Sequence, residues 1–456
     1  MWTFLVVLAV LCGSSQSESI NKNLVNKNIE RIIDLSSQLV KITSTITLEN
    51  TGTDPVLAFH VYTEPNTIGS LSFISARDSD KTELKLTKIK DGEDIYKVKL
   101  NSPLNAGRTT NVVIEYVYTN ALTPYPVSIT QKDRQLVRYF GSHYFYSPYK
   151  TTKQSTTLTL NSRAIESYTK LKPVSQSDST INYGPYHNIE SLTHDQMTVH
   201  FESNAPFLSV TRIERLIEIS HWGNIAVQEN IEILHSGAKL KGAFSRYDYQ
   251  RDTSGSHHSI KSYHTALPAA AHSIYYRDSN GNISTSQVRI KKDWIELELR
   301  PRFPLFGGWK SSYTLGYSVP SYQYLMKSAS GQYLLRMRLL DHVFDDMYVK
   351  ELETSIVLPI GVQNIKLNLP YDVERLPDTV THKYLDTMGR KVINIRKTNL
   401  VEQHIQDLEI IYNWQPLLLL HEPILLTLAL YALFVVVIIY VRLDFSIHKP
   451  EHSKKE

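Results

Sequence analysis

The 456-residue sequence contains one cysteine, Cys12, and that residue lies inside the first apolar run. Disulfide-stapled modules are thereby excluded, and folded domains must be held by apolar burial and backbone hydrogen bonds. A strong excess of either charge is absent as well, with 49 Lys and Arg against 45 Asp and Glu. A net charge of +4 without any basic run excludes a nucleic-acid partner. The phosphate-cradling patterns GxxxxGK[ST] and GxGxxG are missing, as are CxxC and HExxH. His421-Glu422 is followed by Pro423, and Leu425 stands where a second zinc ligand belongs. No GxSxG nucleophile elbow is present. The reading therefore assigns no catalytic, cofactor-binding or metal-ligating residue and expects no cofactor in this chain.

Long apolar runs occur only at the two ends. The first, MWTFLVVLAVLCGSSQS, is too short to span a bilayer and gives way to small polar residues, the shape of a signal peptide over residues 1–17 cleaved near Ser17. The second, PILLTLALYALFVVVIIYV, holds no charged residue from Pro423 to Val441. At about 1.5 Å per residue it reaches roughly 28 Å, the hydrocarbon thickness of a bilayer. Arg442 ends the run, and Lys449, Lys454 and Lys455 bias the tail, residues 442–456, toward the cytosol. A type I single-pass orientation is expected, with the bulk of the chain on the exported side.

Between the ends the pattern is alternation. QLVKITSTITLE, NVVIEYVYT, STTLTLNS, NIAVQENIEIL and WIELELRP place apolar residues at every second position, and Gly or Pro punctuates the runs at NAGR, DSNGN and FPLFGGW. The pattern also repeats. ERIIDLS (Glu30 to Ser36) returns as ERLIEIS (Glu214 to Ser220), and VKITSTITLENTG (Val40 to Gly52) aligns with IAVQENIEILHSG (Ile225 to Gly237). Further on, GRTTNVVIEY answers GWKSSYTLGY, and TTLTLNSRAIESYTKL weakly answers TSIVLPIGVQNIKLNL. The expected fold is mainly β: two tandem, duplicated sandwich-like domains, residues 24–210 and 211–414, followed by one transmembrane helix at 423–441.

Four local clusters hold residue types that carry chemistry. His257, His258, His264 and His272 are close in sequence but lack the spacing of a specific metal site, so solvated loop and strand positions are expected. Asp341, Asp345 and Asp346 in DHVFDDM have no identifiable acid-base partner and read as a charged loop. HYFYSPY (His143 to Tyr149) reads as cross-strand aromatic packing rather than a sugar-binding face. Asn282-Ile283-Ser284 is the single N-x-[ST] acceptor, placed after the turn-like DSNG, and Asn282 is the expected N-glycosylation site.

Five segments carry a family resemblance: SHWGNIAVQENIEILHSGAKLKGAFSRYDYQR (Ser220 to Arg251), LPAAAHSIYYRDSNGNISTS (Leu267 to Ser286), RPRFPLFGGWK (Arg300 to Lys310), NLVEQHIQDLEI (Asn399 to Ile410) and VIIYVRLDFSI (Val437 to Ile447). HYFYSPY and ESYTKL extend it into the first copy. On these the chain resembles the ribophorin I family. The resemblance implies a non-catalytic subunit of the endoplasmic reticulum oligosaccharyltransferase, the complex that moves a preassembled glycan from dolichyl diphosphate to Asn of N-x-Ser/Thr acceptors. It also implies the other subunits of that complex, including the catalytic one, as partners, together with nascent and membrane-protein substrates and the lipid bilayer. Glycosylation of Asn282 is implied too. Animal members of the family usually continue into a long helical cytosolic region. With the sequence ending at Glu456, the resemblance assigns this chain no cytosolic ribosome contact, and with Lys454 and Lys455 off register for a dilysine signal, retention is expected to depend on the complex. The rival reading is a single-pass cell-surface receptor or adhesion protein, which shares the signal, the β domains and the anchor.

Overall fold

The computed structural model describes residues 21, 23–67, 69–89, 95–251, 258–383 and 385–443. The proposed signal peptide, His257 and the tail beyond Leu443 lie outside the described residues. The chain divides into two compact units. Among the described residues, unit 1 runs from 21 to 127 and from 134 to 205, and unit 2 from 128 to 133 and from 206 to 443. Within unit 2, Ser128–Ile129 pairs in parallel with Lys239–Leu240, and Gln131 exchanges hydrogen bonds with the backbone of Ser245. The 210/211 division drawn from the sequence falls inside the strand Leu208–Ile219; the junction lies at Pro206, which has no amide hydrogen to give to a ladder.

Unit 1 is built on a seven-stranded sheet in the order Val174–Ser177, Thr180–Ile189, Thr151–Leu160, Leu24–Leu35, Val40–Asn50, Thr109–Tyr118 and Leu71–Asp78. Unit 2 has the corresponding sheet in the order Glu374–Arg375, Arg390–Val401, Tyr348–Val357, Leu208–Ile219, Asn224–His235, Lys310–Pro320, His272–Asp278 and Gly281–Asn282, with Thr379–Thr381 added beside Arg390–Val401. In both units the first strand pairs antiparallel with the second and parallel with a much later one. Even the irregularities correspond. The first strand shifts register between Asn26 and Asn28 in unit 1, and between Val210 and Arg212 in unit 2.

Each unit adds one four-stranded and one three-stranded sheet. In unit 1 these are Ile165–Tyr168, Gln196–Glu202, Leu136–Ser142 and Leu122–Pro124, and Val56–Tyr62, Ile95–Leu104 and Lys85–Lys88. In unit 2 they are Gln363–Asn368, Asp407–Asn413, Gln332–Arg338 and Leu325–Lys327, and Tyr263–Pro268, Trp294–Leu299 and Gln287–Ile290. The alternation seen in the sequence becomes alternating burial: every second residue of Val40–Asn50 is buried. In unit 2 one continuous core joins Ile213, Ile231 and Ile356 of the large sheet to Ile410 and Leu297 of the smaller ones. Each fully buried Ile or Leu of this kind contributes about 2 kcal/mol.

The chain ends, among the described residues, in a short 3-10 turn, Pro416–Leu420, and the helix His421–Arg442. None of its residues is buried, and with the preceding turn it forms an apolar span from Pro416 to Arg442. Pro423 is tolerated because the first helical turn has no use for its missing amide hydrogen, and Thr427 Oγ1 donates to the Pro423 carbonyl at 2.8 Å. Glu422 at the start and Arg442 at the end both complement the helix dipole. Its 22 residues span about 33 Å at 1.5 Å each, long enough to cross a bilayer. The fold is mainly β with one C-terminal apolar helix, as the sequence pattern predicts.

Candidate functional site

Two buried arginines, one in each unit, tie its strands together. Arg31 in unit 1 and Arg215 in unit 2 occupy the same inward position of the repeated ER motif, and each is at most 2% exposed. Each lies opposite a threonine of the parallel strand, Thr156 and Thr354 respectively. Arg31 donates to the carbonyls of Ser142, His143 and Tyr144 and lies 3.4 Å from Glu64. Burial pushes the Glu64 carboxyl up to about 7 although Arg31 and the Ser142 backbone oppose the shift.

Arg215 is held by carboxylates instead. It pairs with Glu229 and, at 2.8 Å, with Asp341, which also accepts from the Tyr317 hydroxyl. Burial pushes Glu229 up to about 7 against the attraction of Arg215. For Arg215 itself burial is the largest influence and favours proton loss, but Asp341, Tyr317 and Glu229 together outweigh it and hold the guanidinium well above its ordinary value. Asp341 is therefore a buried counter-charge, not part of an exposed charged loop; the contact joins residues 126 positions apart.

The remaining sequence candidates separate in space. His258 is buried, edge-on to Phe306, and its carbonyl accepts from His235 Nε2. His264 lies 3.2 Å from Glu296, and His272 is exposed on another strand. In HYFYSPY, His143 Nδ1 sits 2.8 Å from Asp195, and the Tyr149 hydroxyl accepts the His60 amide; both rings are buried. Asp345 stands with His342 and Glu402, one imidazole nitrogen and two carboxylate oxygens within 4.8 Å of one another, while the Asp346 amide donates to Glu402. Burial opposes a charge on His342, yet Glu402 and then Asp345 outweigh it and raise its pKa, so the arrangement suits an imidazolium between two carboxylates. Asn282 and Ser284 are exposed beside a tight hairpin braced by Arg302.

Sequence reasoning missed the collar around the start of the helix. Arg390, at the head of its strand, donates to Asp386 through Nε and to Glu422 through Nη2, at 2.7 and 2.8 Å, and Nη1 lies 3.6 Å from Glu218. Lys383 bonds the other oxygen of Glu218 at 2.7 Å. Thr387 Oγ1 lies 2.9 Å from His421 Nε2. On the neighbouring hairpin, His221 stacks on Trp414 with ring centres 3.8 Å apart and planes 3° off parallel, and Trp414 Nε1 donates to the Ile360 carbonyl. Burial holds His221 down to about 4, so the stacked imidazole is neutral at pH 7. The helix thus leaves unit 2 from a bonded seat that fixes its first turn.

Comparisons with known proteins cover nearly the whole of this architecture. A family model described as Ribophorin I matches residues 24–441, from the first strand to the last turn of the helix. The chain is 42% identical over 425 residues to dolichyl-diphosphooligosaccharide–protein glycosyltransferase subunit 1 of Caenorhabditis elegans, covering 92% of this chain and 72% of that protein. It is 37% identical over 462 residues to subunit 1B of the same enzyme in Arabidopsis thaliana, covering 97% and 98%. Subunit 1A of Arabidopsis thaliana is 36% identical over 468 residues, covering 98% and 74%. The chain belongs to the ribophorin I family.

Proposed function

We propose that this chain is an accessory, non-catalytic subunit of the oligosaccharyltransferase complex of the endoplasmic reticulum membrane. The two β units lie in the lumen, the helix crosses the bilayer, and residues after Arg442 face the cytosol. The single observation that carries the reading is the family match running unbroken from residue 24 to 441, with relatives named as glycosyltransferase subunits. The internal chemistry supports it. The buried acids Glu64, Glu229 and Asp341 are committed to Arg31 and Arg215 in the cores.

In this role the chain stabilises the complex and helps present substrates. Glycan transfer belongs to another subunit. Holding acceptor segments near that subunit raises their effective concentration without new chemistry. The partners are the other subunits, nascent and membrane-protein substrates, and the bilayer. Asn282 carries a glycan of its own, which its exposure beside the hairpin supports. A cell-surface receptor is disfavoured by the relatives' names.

Leu430→Arg or Leu433→Arg tests the helix as the docking element. A charge at mid-bilayer costs about 3 kcal/mol, so co-purification with the other subunits should fall sharply. Undiminished assembly of both variants would contradict it.

A further inference from the structure

Beside the collar, where the helix leaves unit 2, lies a half-open cavity of about 340 Å³. Glu218, His221, Trp222, Arg390, Trp414 and Glu422 line it, with Leu418 and Leu419 on the side of the helix. Its rim is apolar and open. Trp222 in the lining is 63% exposed, and Leu417, next to the lining residue Leu418, is 78% exposed. The Trp222 turn is closed by Gly223 at φ +111°, whose carbonyl accepts the amide of Ser321, next to Tyr322. Exposed aromatic side chains on such a rim match the belt that membrane proteins place at headgroup level.

The charge inside the collar selects among headgroups. Of the charged residues lining the cavity, Arg390 supplies one positive charge and Glu218 and Glu422 two negative ones, a net of −1, while Lys383 and Asp386 behind them cancel. All three Arg390 nitrogens already face carboxylates, so the cavity is poorly suited to an anion. An ammonium group fits, because the Glu218 and Glu422 oxygens retain unused lone pairs and indole rings attract cations through their faces.

We propose that this cavity is a phospholipid headgroup site, which takes the ammonium end of phosphatidylethanolamine or phosphatidylcholine from the leaflet where the helix begins. The lipid phosphate stays in the headgroup layer, its acyl chains run along Leu418 and Leu419, and Trp222 closes the mouth. The proposal deepens the functional reading and rests only on its bilayer-spanning helix.

The test uses the full chain in detergent, exchanged into an equimolar mixture of phosphatidylethanolamine, phosphatidylcholine and phosphatidylglycerol, with bound lipid read by native mass spectrometry. One zwitterionic lipid should be retained with about tenfold preference over phosphatidylglycerol, in keeping with an ammonium that faces both an indole and two carboxylates. Trp222→Ala and Glu422→Gln should each abolish most of that preference, and Tyr247→Ala, exposed elsewhere in unit 2, should leave it intact. Equal retention of phosphatidylglycerol, no retained lipid, or a preference unchanged in both collar variants overturns the site. A photocrosslinking residue at position 222 should label lipid in microsomes; labelling of protein alone would make the cavity a subunit contact and overturn it as well. Carbonate extraction separates the two levels. Release of the chain defeats the bilayer-spanning reading itself, whereas a retained chain without lipid selectivity defeats the headgroup site only.

Discussion

Arg31 and Arg215 stand at the same point of two copies of one architecture, and their surroundings solve the same problem differently. In unit 1 the guanidinium is satisfied by three backbone carbonyls, the Thr156 hydroxyl and a single carboxyl, Glu64. In unit 2 two carboxylates, a tyrosine hydroxyl and the single carbonyl of Arg338 surround it, while its Nε and the Thr354 hydroxyl find no partner among the described residues. The lesson is that the large sheet with its parallel pair fixes where the buried cation sits, whereas the groups answering it come from whatever the following loops supply. Neutral carbonyls do not repel one another; two buried carboxylates do, once the cation between them is gone.

The largest effect should separate the two centres. Arg215→Met strands Glu229 and Asp341 and should cost about 3–5 kcal/mol, seen as a lowered unfolding temperature of the full chain in detergent. Arg31→Met leaves one carboxyl that protonates readily and carbonyls that lose their donors, so a smaller loss of about 2–3 kcal/mol is expected. Equal losses would break the comparison. Adding Glu229→Gln and Asp341→Asn to Arg215→Met should recover most of the stability, since neutral groups are cheaper to bury. Adding Glu64→Gln to Arg31→Met should recover little, because the orphaned carbonyls remain.

A smaller effect concerns pH. Glu64 and Glu229 titrate near 7 in the folded chain against 4.5 for an exposed glutamate. A folded pKa above the unfolded one means that the folded state holds its proton more tightly. The stabilisation is complete below pH 4.5 and is lost as pH rises through about 7. Glu64→Gln and Glu229→Gln should each flatten the fall in unfolding temperature between pH 5 and 7.5, and the double variant should flatten it most. An unchanged slope in the double variant would show that neither carboxyl is held as described. The smallest effect serves as a control outside both centres. Asn282→Gln should remove a single glycan, read as one step in gel mobility, and change stability by no more than about 0.5 kcal/mol.

Much of the frame was legible before any coordinate was known. Strict alternation in VKITSTITLEN marks a half-buried strand, the ER echo marks the two copies, and an uncharged run from Pro423 to Val441 marks the helix. The partners of the buried arginines were not legible. Arg215 and Asp341 meet only because a parallel pairing brings the segment before Tyr348–Val357 under the first strand of unit 2, and no local pattern encodes that contact. An arginine at an inward position of an alternating strand was the one available signal. His258, His264 and His272 separate in space as their spacing suggests, but His258 is buried in the core where a solvated loop position was expected, because no local pattern shows the Phe306 ring that packs on it. The collar was invisible for the same reason, since it draws on residues near 220, 360, 390 and 420.

The account's central claim is that the chain assists glycan transfer without performing it. The most direct test is a pull-down of the tagged full chain from mild-detergent microsomes, assaying the eluate for glycan transfer to an N-x-Ser/Thr peptide. Transfer should accompany the co-purified subunits and vanish when they are stripped away. Transfer by the stripped chain alone, or an eluate that lacks both partners and activity, would contradict the claim.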